Sequence, residues 1–272
     1  MRGTVVYKMT GSGNDFVMLD GRTARPEAWP AERIAAACDR RTGVGADGLV
    51  ILAPEGAGTV RMHYWNADGS RAAMCGNAAL CSARLAVHLD LVPPGELRLL
   101  TDAGEVRACA PAGGELAEIG LPDFEIAGSV AGLEPGPGEE WMAVATVGVP
   151  HLVVRVDDIE QVDLLGRGRR LRYDPRLGPA GANVNFVSPG GGGAPWLIRT
   201  YERGVEGETL ACGTGTVAAG VALALRGEVT PPVTFRSRGG QLLVVRASLD
   251  GRRARGVWLG GQGRLVFRGV LE

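Results

Sequence analysis

A chain of 272 residues, of which 45% are hydrophobic, is long enough for one large globular domain or two ordinary ones. A formal net charge of −1 excludes the basic surface with which a nucleic-acid-binding protein neutralises phosphates, so we expect a small-molecule ligand and no nucleic acid. No stretch reaches the length of a membrane span and the first residues lack a cleavable apolar segment, which predicts a cytoplasmic protein without a membrane partner.

Short strands separated by Gly/Pro turns dominate the predicted elements, with three helices between them. In chain order these are a helix over residues 29–40, a strand at 49–52, a helix over 78–89, a strand at 152–156, a helix over 214–226 and a strand at 241–245. The composition of the helices is typical of buried helices. This pattern favours sheets that wrap around central helices.

The helices that follow Met74-Cys75-Gly76-Asn77 and Ala211-Cys212-Gly213-Thr214 begin in the same way, about half a chain apart. A polar residue at the end of an apparent strand lies nine residues before each cysteine, namely Asn66 and Arg203. We infer an internal duplication that gives two similar lobes with a cleft between them.

Cys75 and Cys212 are the candidate reactive groups. A thiol at the start of a helix lies near free backbone N–H groups and the positive end of the helix dipole, which predicts a lowered pKa and proton exchange near neutral pH. The N–H groups that follow each cysteine are suited to an amino-acid carboxylate. Because the duplication would bring both thiols to one cleft, the pattern indicates an acid and a base on opposite faces of one carbon.

The remaining cysteines and the histidines indicate no metal. Five cysteines without Cys-x-x-Cys spacing argue against a disulfide framework and a zinc site, and Cys38, Cys81 and Cys109 are expected to be structural. The three histidines are not clustered, and His151 is expected in the core. Lys8 is the only lysine, which leaves a Schiff-base cofactor a single candidate attachment residue.

Five further polar residues have both an ordinary structural and a functional interpretation. Glu202 and Arg203 precede Cys212 either as a solvated surface pair or as groups that bind a substrate ammonium and a second carboxylate. Asn14, Asn66 and Asn183 are, taken singly, ordinary turn residues.

Several motifs resemble those of the diaminopimelate epimerase family. The matching stretches are Lys8-Met9-Thr10-Gly11-Ser12-Gly13-Asn14-Asp15-Phe16, Arg41-Thr42-Gly43-Val44-Gly45-Ala46-Asp47-Gly48, Cys75-Gly76-Asn77, Tyr201-Glu202-Arg203-Gly204 and Gly207-Glu208-Thr209-Leu210-Ala211-Cys212-Gly213-Thr214-Gly215. They extend from the N-terminus to about residue 220.

The resemblance implies an α+β homodimer whose protomer has two pseudo-symmetric lobes. Each lobe would be a curved, mainly antiparallel β-sheet or barrel around a central helix, with the active site in the cleft between the lobes. The expected lobes are residues 1–119 with 264–272, carrying Cys75, and residues 120–263, carrying Cys212. The implied reaction interconverts LL- and meso-2,6-diaminopimelate for lysine and peptidoglycan synthesis, without pyridoxal phosphate or metal.

The same resemblance assigns roles by matching motif. Cys75 and Cys212 would be the two bases. The reacting α-carboxylate would be held by Gly76, Asn77, Gly213 and Thr214. Glu202 and Asn14 would bind the ammonium, and Asn66, Asn183 and Arg203 would bind the distal end of the substrate.

One position departs from the family pattern, and it concerns the substrate. The family usually reads Gly-Asn-Pro-His where this chain has Gly148-Val149-Pro150-His151. Valine removes a hydrogen-bonding side chain from the distal end and leaves the two cysteines unchanged. A racemase of the same fold for another amino acid is therefore the alternative enzyme, and a non-catalytic amino-acid-binding protein is the alternative from another class.

Overall fold

The computed structural model describes residues 3–272, in which strands predominate. The strands are β1 Thr4–Gly11, β2 Asn14–Asp20, β3 Gly48–Gly56, β4 Thr59–Asn66, β5 Gly95–Thr101, β6 Gly104–Ala110, β7 Leu116–Leu121, β8 Phe124–Gly128, β9 Glu139–Val147, β10 Val149–Val156, β11 Asn183–Ser188, β12 Trp196–Glu202, β13 Gly207–Thr209, β14 Val233–Ser237, β15 Leu242–Asp250, β16 Arg253–Gln262 and β17 Arg264–Leu271. The α-helices are α1 Ala31–Cys38, α2 Gly76–His88, α3 Arg169–Arg172 and α4 Gly213–Leu225. Short 3-10 turns lie at Pro26–Ala28, Ile159–Gln161 and Pro175–Leu177, and a π-helical turn at Leu164–Gly168.

The chain forms two compact units. The N-terminal unit comprises the described residues up to Gly120 together with Gly260–Glu272, and the C-terminal unit comprises Leu121–Leu259. The chain passes from one unit to the other at 120/121 and at 259/260, whereas the expected boundaries were 119/120 and 263/264. Each unit has its own apolar core, built around Leu49 and Ile51 in the first and Leu152 and Phe186 in the second.

The N-terminal unit contains one mixed sheet with mainly antiparallel pairs. Strand β17 pairs antiparallel with β1, and β1 pairs antiparallel with β2. Parallel pairs join β2 to β3 and β4 to β5, while β3 with β4, β5 with β6 and β6 with β7 are antiparallel. The helix α2 is the crossover between the parallel strands β4 and β5.

The C-terminal unit repeats this succession of pairs. Strands β8, β9 and β10 pair antiparallel, β10 with β11 is parallel, β11 with β12 is antiparallel, β12 with β14 is parallel and β14 with β15 is antiparallel. The helix α4 is the crossover between β12 and β14, as α2 is between β4 and β5. The prediction of a duplicated α+β fold with two pseudo-symmetric lobes is therefore confirmed.

The two crossover helices are the central helices of their units. Helix α2 packs against β1 to β6 and β17, and α4 packs against β8 to β11 and β15. Every residue of α4 from Gly215 to Leu223 is buried, because the helix is apolar on all sides. At Gly220 a Cβ atom would lie 3.0 Å from the Val245 side chain, so glycine lets α4 approach β15 closely.

The observed helix boundaries differ from those that the spacing of apolar residues predicts. Helix α2 begins at Gly76 and α4 at Gly213, directly after the cysteines, whereas the expected first residues were 78 and 214. Helix α1 is shorter than its predicted range 29–40, because Pro30 is its N-terminal cap and Asp39 ends it in an extended conformation. Within residues 3–272, no helix is long and apolar enough to cross a membrane.

Candidate active site

Cys75 is the N-terminal cap of α2. Its backbone is extended (φ −144°, ψ 126°), so the side chain lies beside the first turn instead of on it. The backbone N–H groups of Asn77 and Ala78 and the hydroxyl of Tyr64 interact with the thiol and favour the thiolate. Burial has the larger effect, however, and the pKa of Cys75 is raised.

Asn66 is connected to Cys75 through Tyr64. The Tyr64 hydroxyl lies 3.3 Å from Oδ1 of Asn66, the last residue of β4, and it also interacts with the Cys75 thiol. Tyr64 is buried, and Gly48 on the neighbouring strand makes room for its ring, since a Cβ atom there would lie 2.7 Å from Cε2 of Tyr64. The Tyr64 hydroxyl therefore interacts both with a residue expected to act as a base and with a residue expected to bind the substrate.

Asn14 and Asn77 are directly hydrogen-bonded. Nδ2 of Asn77 donates to Oδ1 of Asn14 at 2.8 Å, and Nδ2 of Asn14 donates to Oδ2 of Asp47 at 2.9 Å. The structure thus brings the predicted residues of this unit together. We call Asn14, Asn66, Cys75, Gly76 and Asn77 the N-terminal cluster.

Cys212 is the corresponding N-terminal cap of α4, again with an extended backbone (φ −129°, ψ 106°). Its Sγ lies 3.8 Å from Oγ1 of Thr214, and the N–H of Gly215 also interacts with it. Burial, followed by the negative charge of Glu202, raises the pKa of Cys212 to about 11. Gly213 packs tightly, because a Cβ atom there would lie 2.6 Å from Cδ2 of Leu259.

The remaining predicted residues of the C-terminal unit surround this helix start. Glu202 is the last residue of β12 and acts electrostatically on Cys212. Oδ1 of Asn183, the first residue of β11, accepts a hydrogen bond of 2.7 Å from the backbone N–H of Arg203. We call Asn183, Glu202, Arg203, Cys212, Gly213 and Thr214 the C-terminal cluster.

The prediction of lowered cysteine pKa values is wrong. The helix N–H groups act in the predicted direction at both thiols, but desolvation acts against them and is the larger effect. Sequence reasoning identified the helix start and had no measure of how deeply each sulfur is buried. Cys38 and Cys81 are buried, as expected of structural cysteines.

The sequence spacing also paired the wrong residues of the two halves. Asn66 and Arg203 are each nine residues before a cysteine, but the strand ends that correspond are Asn66 and Glu202. Asn66 lies opposite Gly48, the first residue of β3, just as the register of β11 with β12 places Glu202 opposite Asn183. The segment from β12 to Cys212 is therefore one residue longer than its counterpart.

Two buried polar residues near the C-terminal cluster were not among the predicted site residues. Asn185 is fully buried, accepts from Oγ1 of Thr200 at 2.9 Å and donates to the Leu152 carbonyl at 3.2 Å. His151 is buried as expected, with Nδ1 at 3.3 Å from Nδ2 of Asn185, but its Nε2 has no hydrogen-bond partner among residues 3–272. Burial and the charge of Arg203 lower the pKa of His151 to about 4.

The fold is shared with solved structures. A phenazine biosynthesis protein of the PhzF family from Bacillus anthracis is 13% identical, with a TM-score of 0.69 over 100% of both chains. A hydroxyproline epimerase from Agrobacterium vitis is 17% identical, with a TM-score of 0.60 over 100% of this chain and 91% of the other. The chain thus has the two-lobed fold of this structural class.

Sequence comparisons identify the family to which the chain belongs within this structural class. The family model for diaminopimelate epimerase matches residues 6–118 and 143–253. The diaminopimelate epimerase of Gemmatimonas aurantiaca is 44% identical over 97% of this chain and 98% of that protein. The diaminopimelate epimerase of Aquifex aeolicus is 37% identical over 98% of this chain and 97% of that protein. The chain belongs to the diaminopimelate epimerase family.

Proposed function

We propose that this protein is an isomerase that interconverts LL- and meso-2,6-diaminopimelate, with Cys75 and Cys212 as the two bases. The observation that carries the proposal is the equivalent position of the two thiols, each the N-terminal cap of the central helix of a duplicated unit. One cysteine as the thiolate removes the α-proton from one face of the carbon. The other, as the thiol, delivers a proton to the opposite face, so the configuration inverts and the enzyme ends with its proton on the first sulfur.

The α-carboxylate of the substrate is assigned to the helix starts. The N–H groups of Gly76 and Asn77 on α2, and of Gly213 and Thr214 on α4, are at the positive ends of the two helix dipoles. Negative charge that develops at the reacting carbon is delocalised into this carboxylate. Donors at fixed positions around it stabilise the transition state.

The other groups of the substrate are assigned to the polar side chains of both clusters. Glu202 and Asn14 bind the reacting ammonium, and the distal amino-acid group is bound by Asn66, Asn183 and Arg203. The support is their placement: Glu202 acts on the Cys212 thiol, and Tyr64 links Asn66 to Cys75. The product supplies lysine and peptidoglycan synthesis.

The reaction proceeds without pyridoxal phosphate in this proposal. Lys8, the only lysine, donates from Nζ to Asp15 at 2.7 Å and to the Gly45 carbonyl, and it is largely buried. An amine held in a buried ion pair is not available for a Schiff base. The proton-transfer chemistry therefore falls to the thiols.

Assembly and location follow from the surface and from the thiols. Strand β17 exposes Leu265, Val266, Phe267 and Val270, and apolar residues gathered on one exposed strand are typical of an interface between chains. We assign this strand to the contact of a homodimer. Because both proposed bases act as free thiols, a reducing compartment is required, and we place the enzyme in the cytoplasm.

The alternative enzyme is a racemase of the same fold for a different amino acid. Val149 is the observation that favours it. Val149 begins β10 as Asn14 begins β2, so the C-terminal unit has an apolar side chain where its counterpart has an amide. A non-catalytic amino-acid-binding protein would bind a substrate without exchanging its α-hydrogen.

Proton NMR in deuterium oxide separates these functions. LL-diaminopimelate is incubated with the purified protein beside a panel of other amino acids, and loss of the α-proton signal is followed. We expect exchange with diaminopimelate that is lost by orders of magnitude in Cys75→Ala and in Cys212→Ala, each with an unchanged circular dichroism spectrum. Exchange with another amino acid alone would establish the alternative racemase, and binding without exchange would reject both enzymes.

A further inference from the structure

Asp47 lies directly before β3, and both of its carboxylate oxygens have donors. Oδ1 accepts from the guanidinium of Arg40 at 2.7 Å. Oδ2 accepts from Nδ2 of Asn14 at 2.9 Å and from the backbone N–H of Asp15 at 3.2 Å. The family motif includes Asp47, but the proposed reaction gives it no role so far.

These bonds determine which way the Asn14 amide faces. A carboxylate can only accept hydrogen bonds, so the group that faces Asp47 must be the NH2 of Asn14. Oδ1 of Asn14 then accepts from Nδ2 of Asn77 at 2.8 Å, and the NH2 of Asn77 also lies 3.4 Å from the Ser12 carbonyl. The Asp47 carboxylate therefore fixes the orientation of the Asn14 amide, and the Asn14 amide in turn fixes that of Asn77.

We propose that Asp47 is a positioning residue that holds the Asn14 carbonyl oxygen as the acceptor for the substrate ammonium. This inference rests on the proposed function, which assigns the ammonium to Asn14. A flipped Asn14 would turn its NH2 group, in place of the carbonyl oxygen, towards both the substrate cation and the NH2 of Asn77. The carboxylate prevents the flip, because the carbonyl oxygen would then face a negative charge.

The position of the Asp47 carboxylate is fixed by a network of charged side chains. Arg40 bridges Asp47 and Asp15, and Lys8 donates to Asp15 at 2.7 Å. Partial burial disfavours the Asp15 carboxylate, but the hydrogen bonds from Arg40 and Lys8 outweigh this effect and hold its pKa well below the usual value. The backbone N–H of Asp47 donates to Oδ1 of Asp15 at 3.1 Å, so the two aspartates are also joined through the backbone.

Two substitutions separate orientation from charge. In Asp47→Asn the amide oxygen can still accept from Asn14 while its NH2 turns towards Arg40, whose side chain is 59% exposed and can move aside. In Asp47→Leu the acceptor is lost at similar side-chain size. Asp47→Ser serves the same purpose if the leucine variant fails to fold. Asp20→Leu is the matched control, because Asp20 also pairs with an arginine, Arg22 at 2.6 Å, but at the opposite end of β2.

Two measurements are made on each variant: KM and kcat for diaminopimelate, and the side-chain NH2 resonances of Asn14 and Asn77 in asparagine-labelled protein. We expect KM to rise about tenfold or more in Asp47→Leu with a smaller change in kcat, and shifted resonances of both amides. Asp47→Asn should stay close to wild type, and Asp20→Leu should change neither quantity. A purely structural role would lower the melting temperature without this separation of KM from kcat.

Two results would overturn the inference. One is a wild-type KM with wild-type resonances in Asp47→Leu. The other is Asp47→Asn being as impaired as Asp47→Leu, which would mean that charge, and not the orientation of an acceptor, is what Asp47 supplies. If wild-type protein does not exchange the α-hydrogen of diaminopimelate, the proposed function fails, and the amide resonances alone still decide whether Asp47 orients Asn14.

Discussion

Replacing Tyr64 by phenylalanine tests how the thiolate of Cys75 is stabilised. The substitution removes one hydroxyl and keeps the ring, which packs edge-on against Phe16 at a centroid distance of 6.1 Å. The N–H groups of Asn77 and Ala78 remain, so the variant isolates the side-chain donor. Asp47 opposes the Cys75 thiolate electrostatically and is unchanged in the variant.

The expected magnitude follows from the strength of one hydrogen bond to an anion. Such a bond contributes about 1.5–3 kcal/mol, and 1.4 kcal/mol corresponds to a factor of about ten in an equilibrium constant. Because the Tyr64 hydroxyl also has Asn66 as a partner, we take the lower end of the range. At a fixed pH below the pKa of Cys75, the thiolate population should fall about tenfold. The acid limb of kcat/KM should move to higher pH, since losing this donor raises the pKa of the thiol further.

The assay is the rate of alkylation of Cys75 by iodoacetamide between pH 6 and about pH 10, followed by peptide mass spectrometry in a Cys212→Ala background. Alkylation of Cys212 in a Cys75→Ala background is the internal control, because the pKa of Cys212 responds to burial, Glu202, Gly215 and Thr214, and these residues lie in the C-terminal unit. Tyr7→Phe is the matched control, since Tyr7 is a buried tyrosine of the same unit that packs against His88. An unchanged or faster rate at Cys75 in Tyr64→Phe would refute the reasoning.

Three further predictions concern other parts of the chain. Gly215→Ala should lower the free energy of unfolding in urea by about 1–3 kcal/mol, because the added Cβ atom would overlap the buried Asn185 amide and lie 3.1 Å from Sγ of Cys212. An unchanged midpoint of the urea transition would contradict this prediction. Val149→Asn should preserve or improve kcat/KM for diaminopimelate, and a loss of about tenfold or more would indicate a site tuned to another amino acid. Wild-type protein should have a dimer mass in light scattering and Phe267→Glu a monomer mass, whereas a wild-type monomer would reject the proposed β17 interface.

The sequence predicted the secondary-structure elements that are indicated by residues close together in the chain. Continuous apolar residues after Cys212 indicate a buried helix wherever the rest of the chain lies, and the matching start after Cys75 indicates its counterpart. The duplication could be inferred from these two starts alone. What the spacing missed was the extra residue before Cys212, because only the strand register shows that Glu202, and not Arg203, corresponds to Asn66.

Properties that depend on tertiary packing could not be predicted. The pKa of each thiol is dominated by burial, which depends on strands far away in sequence. Asn185 gave no local signal, since its role comes from the register of β10 with β11, which places it beside Leu152 and His151. Asp47 was visible only as part of a motif, because its bond to Asn14 spans 33 residues of chain.

The duplication gives two thiols in equivalent positions, but the side chains around them differ. A two-base epimerase must hold one thiolate and one thiol at the same time. At both thiols burial raises the pKa and a carboxylate, Asp47 or Glu202, opposes the thiolate, but the donor side chain is Tyr64 at Cys75 and Thr214 at Cys212. We propose that Cys212, whose pKa is raised to about 11, is the thiol when the Cys75 thiolate removes the α-proton, and that the two roles are exchanged after each turnover. In the proposed reaction, a substrate ammonium that pairs with Glu202 would neutralise the carboxylate that opposes the Cys212 thiolate. Substrate binding would then lower the free energy of this thiolate at the step at which the thiol gives up its proton.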